Sequence, residues 1–160
     1  MWPTVRNLGV FQGLWFLVVI GGDAFAVFAF GWAMYHVVSY ADQREHWQLP
    51  IYIGLGLLMD WTLTSFGVFE FSTTTLALPL WLIALWFIFP TTLLHGLRWC
   101  WSGKYWVLLL SSLGAALTYI GGARLGDLLF PLGEMVSLIV LTIAWAAYFT
   151  LIRCVAYWKS

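Results

Sequence analysis

A chain of 160 residues that is 62% hydrophobic and 9% charged, with seven basic and seven acidic side chains, has the composition of a protein dissolved in lipid. A soluble domain runs at about 45–50% apolar and about 25% charged. The balanced net charge removes the basic footprint that a nucleic-acid binder needs, and Cys100 and Cys154 stand outside any zinc- or cluster-binding spacing.

At about 20 residues per transmembrane helix, the chain has room for about six spans and for no large extramembrane domain. The expected fold is therefore all-α, a single polytopic helical bundle over residues 1–160. A first span over residues 5–20 ends at Gly21-Gly22-Asp23, a turn signal. Ala24-Phe25-Ala26 has the small-x-small pattern of a signal-peptide cleavage site, but the apolar run continues through Phe30, so the first span is read as uncleaved. A second span covers residues 24–40 and gives way to the most polar segment of the chain, Ala41-Asp42-Gln43-Arg44-Glu45-His46. The third span, residues 49–68, begins near Pro50. The fourth, residues 75–97, carries Pro79 and Pro90, and the fifth, residues 105–122, leads into a glycine-bearing stretch at 119–134 that suits an outer loop or a re-entrant turn. The sixth covers residues 135–157.

Cytoplasmic flanks collect Lys and Arg. With six spans, Arg6, Arg44, Arg98, Lys104, Arg153 and Lys159 share one side, against Arg124 alone on the other. Both termini are thus expected in the cytoplasm. Trp47, Trp99, Trp101, Trp106 and Trp158 fall at the inner boundary, where indoles anchor, whereas Trp61, Trp81, Trp86 and Trp145 lie deeper, placed to pack between helices or to line an apolar pocket.

An ionisable side chain near mid-bilayer costs several kcal/mol and asks for a reason. Asp60 is that residue, roughly 16 Å from the inner end of the third span at the helical rise. Two readings stand beside each other: an interhelical hydrogen-bonding acid, with Thr64 on the same face, or a proton-relay or ligand-anchoring group. Asn7 and Gln12 in the first span, Thr91, Thr92 and His95 in the fourth, and Ser111 and Ser112 in the fifth share the inner half. They form a candidate binding set if they converge. His36 and His95 lie at similar depth, a placement open to axial haem ligation, but no CxxCH accompanies them. No cofactor and no metal are expected, and three histidines are too few for a membrane desaturase. Gly9 with Gly13, and Gly122 with Gly126, have the GxxxG spacing of close helix packing, and Arg124 with Asp127 reads as an outer-face ion pair. No P-loop, nucleophile elbow or HExxH occurs.

Several strings read together: Asn7, Phe11-Gln12 and Trp15; Asp60; Pro79-Leu80-Trp81-Leu82, Leu85-Trp86, Thr92-Leu93-Leu94-His95 and Trp99; then Tyr119, Gly122 and Arg124-Leu125-Gly126. On these the chain resembles, over nearly its whole length, a bacterial inner-membrane family catalogued as domain of unknown function 2878. The fourth-span run is the most specific part, and the second span matches in character alone. The resemblance implies a standalone polytopic membrane protein without an assigned activity. Members encoded near fatty-acid-modifying methyltransferases and flavin-dependent oxidoreductases point to work on membrane lipids.

Three functions compete on this reading. The leading one is an accessory, non-catalytic protein of the bacterial inner membrane that binds a lipid-like or apolar small molecule among Asp60, His95, Gln12, Asn7, Thr92, Trp81, Trp86 and Tyr119. The second is a small proton-coupled transporter using Asp60, which with six spans would work as a homodimer. The third is a membrane enzyme acting on acyl chains with Asp60 and His95 as acid and base.

Overall fold

The computed structural model describes residues 2–72 and 78–157. The start of the expected fourth span at residues 75–77, and Trp158 and Lys159 at the chain end, lie outside them. The described residues are helical apart from turns and one isolated antiparallel bridge, Glu70 with Leu129. Among the described residues seven helices follow one another: α1 (Trp2–Gly21), α2 (Ala26–Ser39), α3 (Gln43–Ser65), α4 (Leu80–Leu93), α5 (Arg98–Ser102), α6 (Tyr105–Leu125) and α7 (Glu134–Tyr157). A 3₁₀ turn, Gly22–Phe25, separates the first two.

Among the described residues, three stretches are long and apolar enough to cross a membrane: Thr4–Ser39, Tyr105–Leu125 and Glu134–Tyr157. Their outward side chains are themselves apolar, with Val27, Met34, Val38, Leu110, Met135 and Ile143 each more than 60% exposed. In water such a surface would aggregate; in lipid it is the expected exterior. Helix α3 carries Arg44, Glu45, Gln48 and Asp60 and is the least apolar of the long helices. Helix α4 is apolar but only 14 residues long, below the roughly 20 that cross a bilayer.

The chain divides into two compact units, Met1–Leu57 with Pro79–Arg98, and Leu58–Leu78 with Trp99–Ser160. In the first, Gly22 has φ +65°, a left-handed conformation that glycine adopts without steric cost, and the chain doubles back there. Asp23 accepts a hydrogen bond from the backbone N–H of Trp81 at 2.9 Å, which ties this turn to the start of α4. At the other end of the hairpin the Arg6 guanidinium lies 4.5 Å from the centre of the Tyr40 ring. Helix α4 packs against both α1 and α2, so its far end reaches the region of Arg6 and Tyr40.

In the second unit α6 and α7 pack along each other. Arg153 donates to the carbonyl of Gly103 at 3.1 Å and covers the Tyr105 ring. At the opposite end Ser137 donates to the carbonyl of Val68 at 2.7 Å.

Close approach is found at Gly56 and Gly96, and not at Gly9, Gly13 or Gly122. A Cβ added at Gly9, Gly13 or Gly122 would meet nothing within 4 Å, whereas one at Gly56 would fall 2.0 Å from the Trp86 ring and one at Gly96 2.5 Å from Leu8. Arg124 reaches Glu134 at 3.3 Å, and Asp127 turns its carboxylate to the backbone N–H and hydroxyl of Ser72. Arg124 thus has Glu134 as a partner, which the sequence did not single out.

Candidate functional site

The site grows from the polar connection between α2 and α3. Asp42 accepts hydrogen bonds from the backbone N–H groups of Arg44 and Glu45, both at 2.8 Å. It thereby satisfies donors that the start of a helix leaves open. This cap starts α3 at Gln43, well before residue 49, and fixes Glu45 in the first helical turn. The Asp-x-x-Glu spacing is that of a capping box, yet Glu45 turns its carboxylate toward two imidazoles.

His36 comes from the last turn of α2 and His95 from the turn that follows α4. The chain curls there because the N–H groups of His95 and Leu97 both bond to the Thr92 carbonyl, at 3.1 and 2.8 Å. Gly96 then fits against Leu8 of α1. As a result His36 Nε2 lies 3.1 Å from Glu45 Oε2, and His95 Nε2 lies 3.0 Å from Oε1. An ionised carboxylate only accepts, so both rings present Nε2–H to it. The ring centres are 5.3 Å apart and the planes cross at 66°, so the imidazoles converge edge-on instead of stacking. His36 and Glu45 are buried, while the His95 side chain is 36% exposed and forms the opening of the cluster.

Burial opposes ionisation of Glu45, but the hydrogen bonds from His36 and His95 outweigh it and hold the carboxyl at about 2, below its ordinary 4.5. The Glu45 hydrogen bond raises His95 above its ordinary 6.5; burial works against this, and the charges of Glu45 and Asp42 add to it. The two shifts give opposite limbs of stability against pH. A lowered carboxyl stabilises the fold above about 4.5, and that contribution is lost as pH falls toward about 2. A raised imidazole stabilises the fold below 6.5, and that contribution is lost as pH rises through the raised value. In detergent with a chelator present, the melting temperature of the wild type is therefore expected to peak between about 4.5 and 6.5. In His95→Ala the alkaline decline should flatten. An unchanged alkaline limb would remove His95 as its source.

A second polar feature lies in the other unit. Asp60 is fully buried and accepts a hydrogen bond from the Tyr119 hydroxyl at 2.8 Å. The Tyr119 ring lies 5.4 Å from Phe69 and 6.4 Å from Trp145, centre to centre. Two of the residues singled out in the sequence are thus a bonded pair, drawn from α3 and α6.

The other expected site residues divide. Asn7 is buried, and its Oδ1 has no hydrogen-bond partner among the described residues. Thr91 and Thr92 are buried and spend their hydroxyls on the carbonyls of Ile88 and Phe89 in their own helix, and Ser112 does the same with Leu108. Trp81, Trp86 and Trp145 are buried as expected, but Trp61 is 51% exposed and Trp101, read as a boundary anchor, is buried. Gln12 faces outward. An all-round apolar helix leaves no amphipathic stripe by which its outward face could be told in advance.

A family model described as a protein of unknown function, DUF2878, matches residues 4–151. The chain belongs to that family. No curated protein and no solved structure matches it. The family match covers His36, Glu45, His95, Asp60 and Tyr119 alike. Of these, Glu45 alone has no role legible in the sequence, where it stands in the most polar segment of the chain.

Proposed function

We propose that this family member is a multi-pass protein of the bacterial inner membrane that binds a lipid-like molecule and serves membrane-lipid metabolism as an accessory. The observation that carries the reading is the half-open His95 side chain over a buried carboxylate, at the end of a hairpin whose outer faces are apolar. Ligand sites join an apolar lining to a few fixed polar groups. Here the polar end of the ligand meets His95, and its hydrocarbon lies along the helix faces. Asn7 supports this: its buried, unpartnered Oδ1 precedes Leu8, which packs on Gly96 beside His95. Lipids extracted from detergent-purified wild type should contain a species enriched over the bulk membrane, and mass spectrometry should show it depleted in His95→Ala and in Asn7→Ala. The same lipid profile in all three proteins overturns the proposal.

A second reading, a small proton-coupled transporter in which Asp60 carries the proton, draws on the burial of that carboxyl beside Tyr119 and on the cost of placing an ionisable group inside a membrane helix. Substrate uptake into proteoliposomes that ignores an imposed pH gradient would sink it.

A further inference from the structure

A buried carboxylate is ordinarily neutralised by Arg or Lys, which bring charge and hydrogen but no lone pair. Glu45 instead faces two imidazoles, each of which has a nitrogen able to act as a metal ligand once its proton moves to the other ring nitrogen. The three side chains come from three separate segments, the end of α2, the first turn of α3 and the turn after α4, and each offers one ligand atom within 4.8 Å of the others. On a tetrahedral ion with bonds of about 2.0–2.2 Å, ligand atoms stand roughly 3.3 Å apart. The two nitrogen-to-oxygen separations, 3.0 and 3.1 Å, are already close to that spacing. Both Nε2 atoms face the one carboxylate, His36 at Oε2 and His95 at Oε1.

We infer that His36, Glu45 and His95 bind a divalent transition-metal ion, with zinc as the occupant that best matches two imidazoles and a carboxylate. On binding, the Nε2 proton of each ring moves to Nδ1, or is released to solvent where Nδ1 already carries one, so that Nε2 gives its lone pair to the metal and Glu45 supplies one oxygen. Three protein ligands leave a fourth position for water or a polar ligand group, and the exposed His95 places that position at the opening of the cluster. The ion's charge of two is offset by Glu45, with Asp42 acting on His95 from the capping position. His46, one residue beyond Glu45, bonds to the Asp42 carbonyl through Nδ1 and lies outside the set. The inference does not depend on lipid binding, since the ligand atoms alone define it.

The test uses full-length, tag-free protein in detergent, stripped with a chelator and titrated with Co²⁺ as a spectroscopic probe and with Zn²⁺ in competition. One Co²⁺ per chain should give the intense visible absorption of a four-coordinate site, displaced by Zn²⁺. Zn²⁺ should also raise the melting temperature of the wild type. Removing a direct ligand, as in His95→Ala or His36→Ala, should weaken binding by more than the roughly 10–100-fold typical of losing an outer-shell partner. His46→Ala should bind like the wild type, which excludes stray surface imidazole. His95 is partly exposed, so its variant is the one best placed to remain folded, as circular dichroism will show. Absence of stoichiometric Co²⁺ binding overturns the inference, as does binding that survives His95→Ala. Repeating the lipid extraction on stripped protein separates the two proposals, because either property can fail while the other persists.

Discussion

Replacing Glu45 by alanine should destabilise the metal-free protein by about 2–4 kcal/mol, whereas Glu45→Gln, which keeps hydrogen bonds but loses the charge, should cost about 1–2 kcal/mol. The difference follows from the hydrogen-bond inventory. In the alanine variant the buried His36 ring loses its acceptor, and His95 loses the group that orders it; an unpartnered buried donor carries its full desolvation cost. The glutamine amide has one oxygen and one NH₂ group, so it accepts from one imidazole and donates to the other after that ring changes tautomer. The same glutamine should abolish the Co²⁺ spectrum, because a neutral amide is a far poorer ligand than a carboxylate. Chemical unfolding in mixed micelles measures the first effect and visible absorption the second. A Glu45→Ala protein as stable as the wild type would mean that the cluster contributes nothing to the fold.

That cluster shows why part of the site could be read in the sequence and part could not. The nearness of His36 and His95 was legible, because a count of residues along apolar runs sets both near the ends of neighbouring runs. Glu45 was not, because two sequence signals compete over the segment at 41–46. Its polarity reads as a solvated connection, while Asp42 followed three positions later by Glu45 reads as a helix start, and the second signal decides the structure. The early start of α3 moves the carboxylate from solvent to the end of the α1–α2 hairpin. Helix α4 fails in the opposite way. Residues 94–97 are mostly apolar, so composition extends the span to 97, whereas the helix ends at Leu93 in the backbone turn that delivers His95.

Glycine shows the same split between local and tertiary information. The turn at Gly22 needs a positive φ and is marked by its neighbours Gly21 and Asp23. The tight contacts at Gly56 and Gly96 depend on which bulky side chain arrives opposite, Trp86 in one case and Leu8 in the other. No spacing within one helix carries that information. GxxxG drew attention to Gly9 and Gly13, whose faces are open within the chain.

The Asp60–Tyr119 pair yields the prediction that separates glue from chemistry. Asp60→Ala should lower unfolding stability by about 1–3 kcal/mol, since it leaves a buried tyrosine hydroxyl without this acceptor. Tyr119→Phe should cost about 1 kcal/mol, in the range of hydrogen bonds between membrane helices. Because the two groups touch at 2.8 Å, the double variant should fall short of the summed losses by about 0.5–1.5 kcal/mol. Asp60→Asn is the informative case. Its amide oxygen still accepts from Tyr119, so stability should stay near that of the wild type, yet the side chain has no carboxyl proton to exchange. A stable, fully functional Asp60→Asn protein assigns the carboxyl to holding α3 against α6. A stable but inactive one leaves proton exchange as the reason why a carboxylic acid, the costlier group to bury, stands at this position.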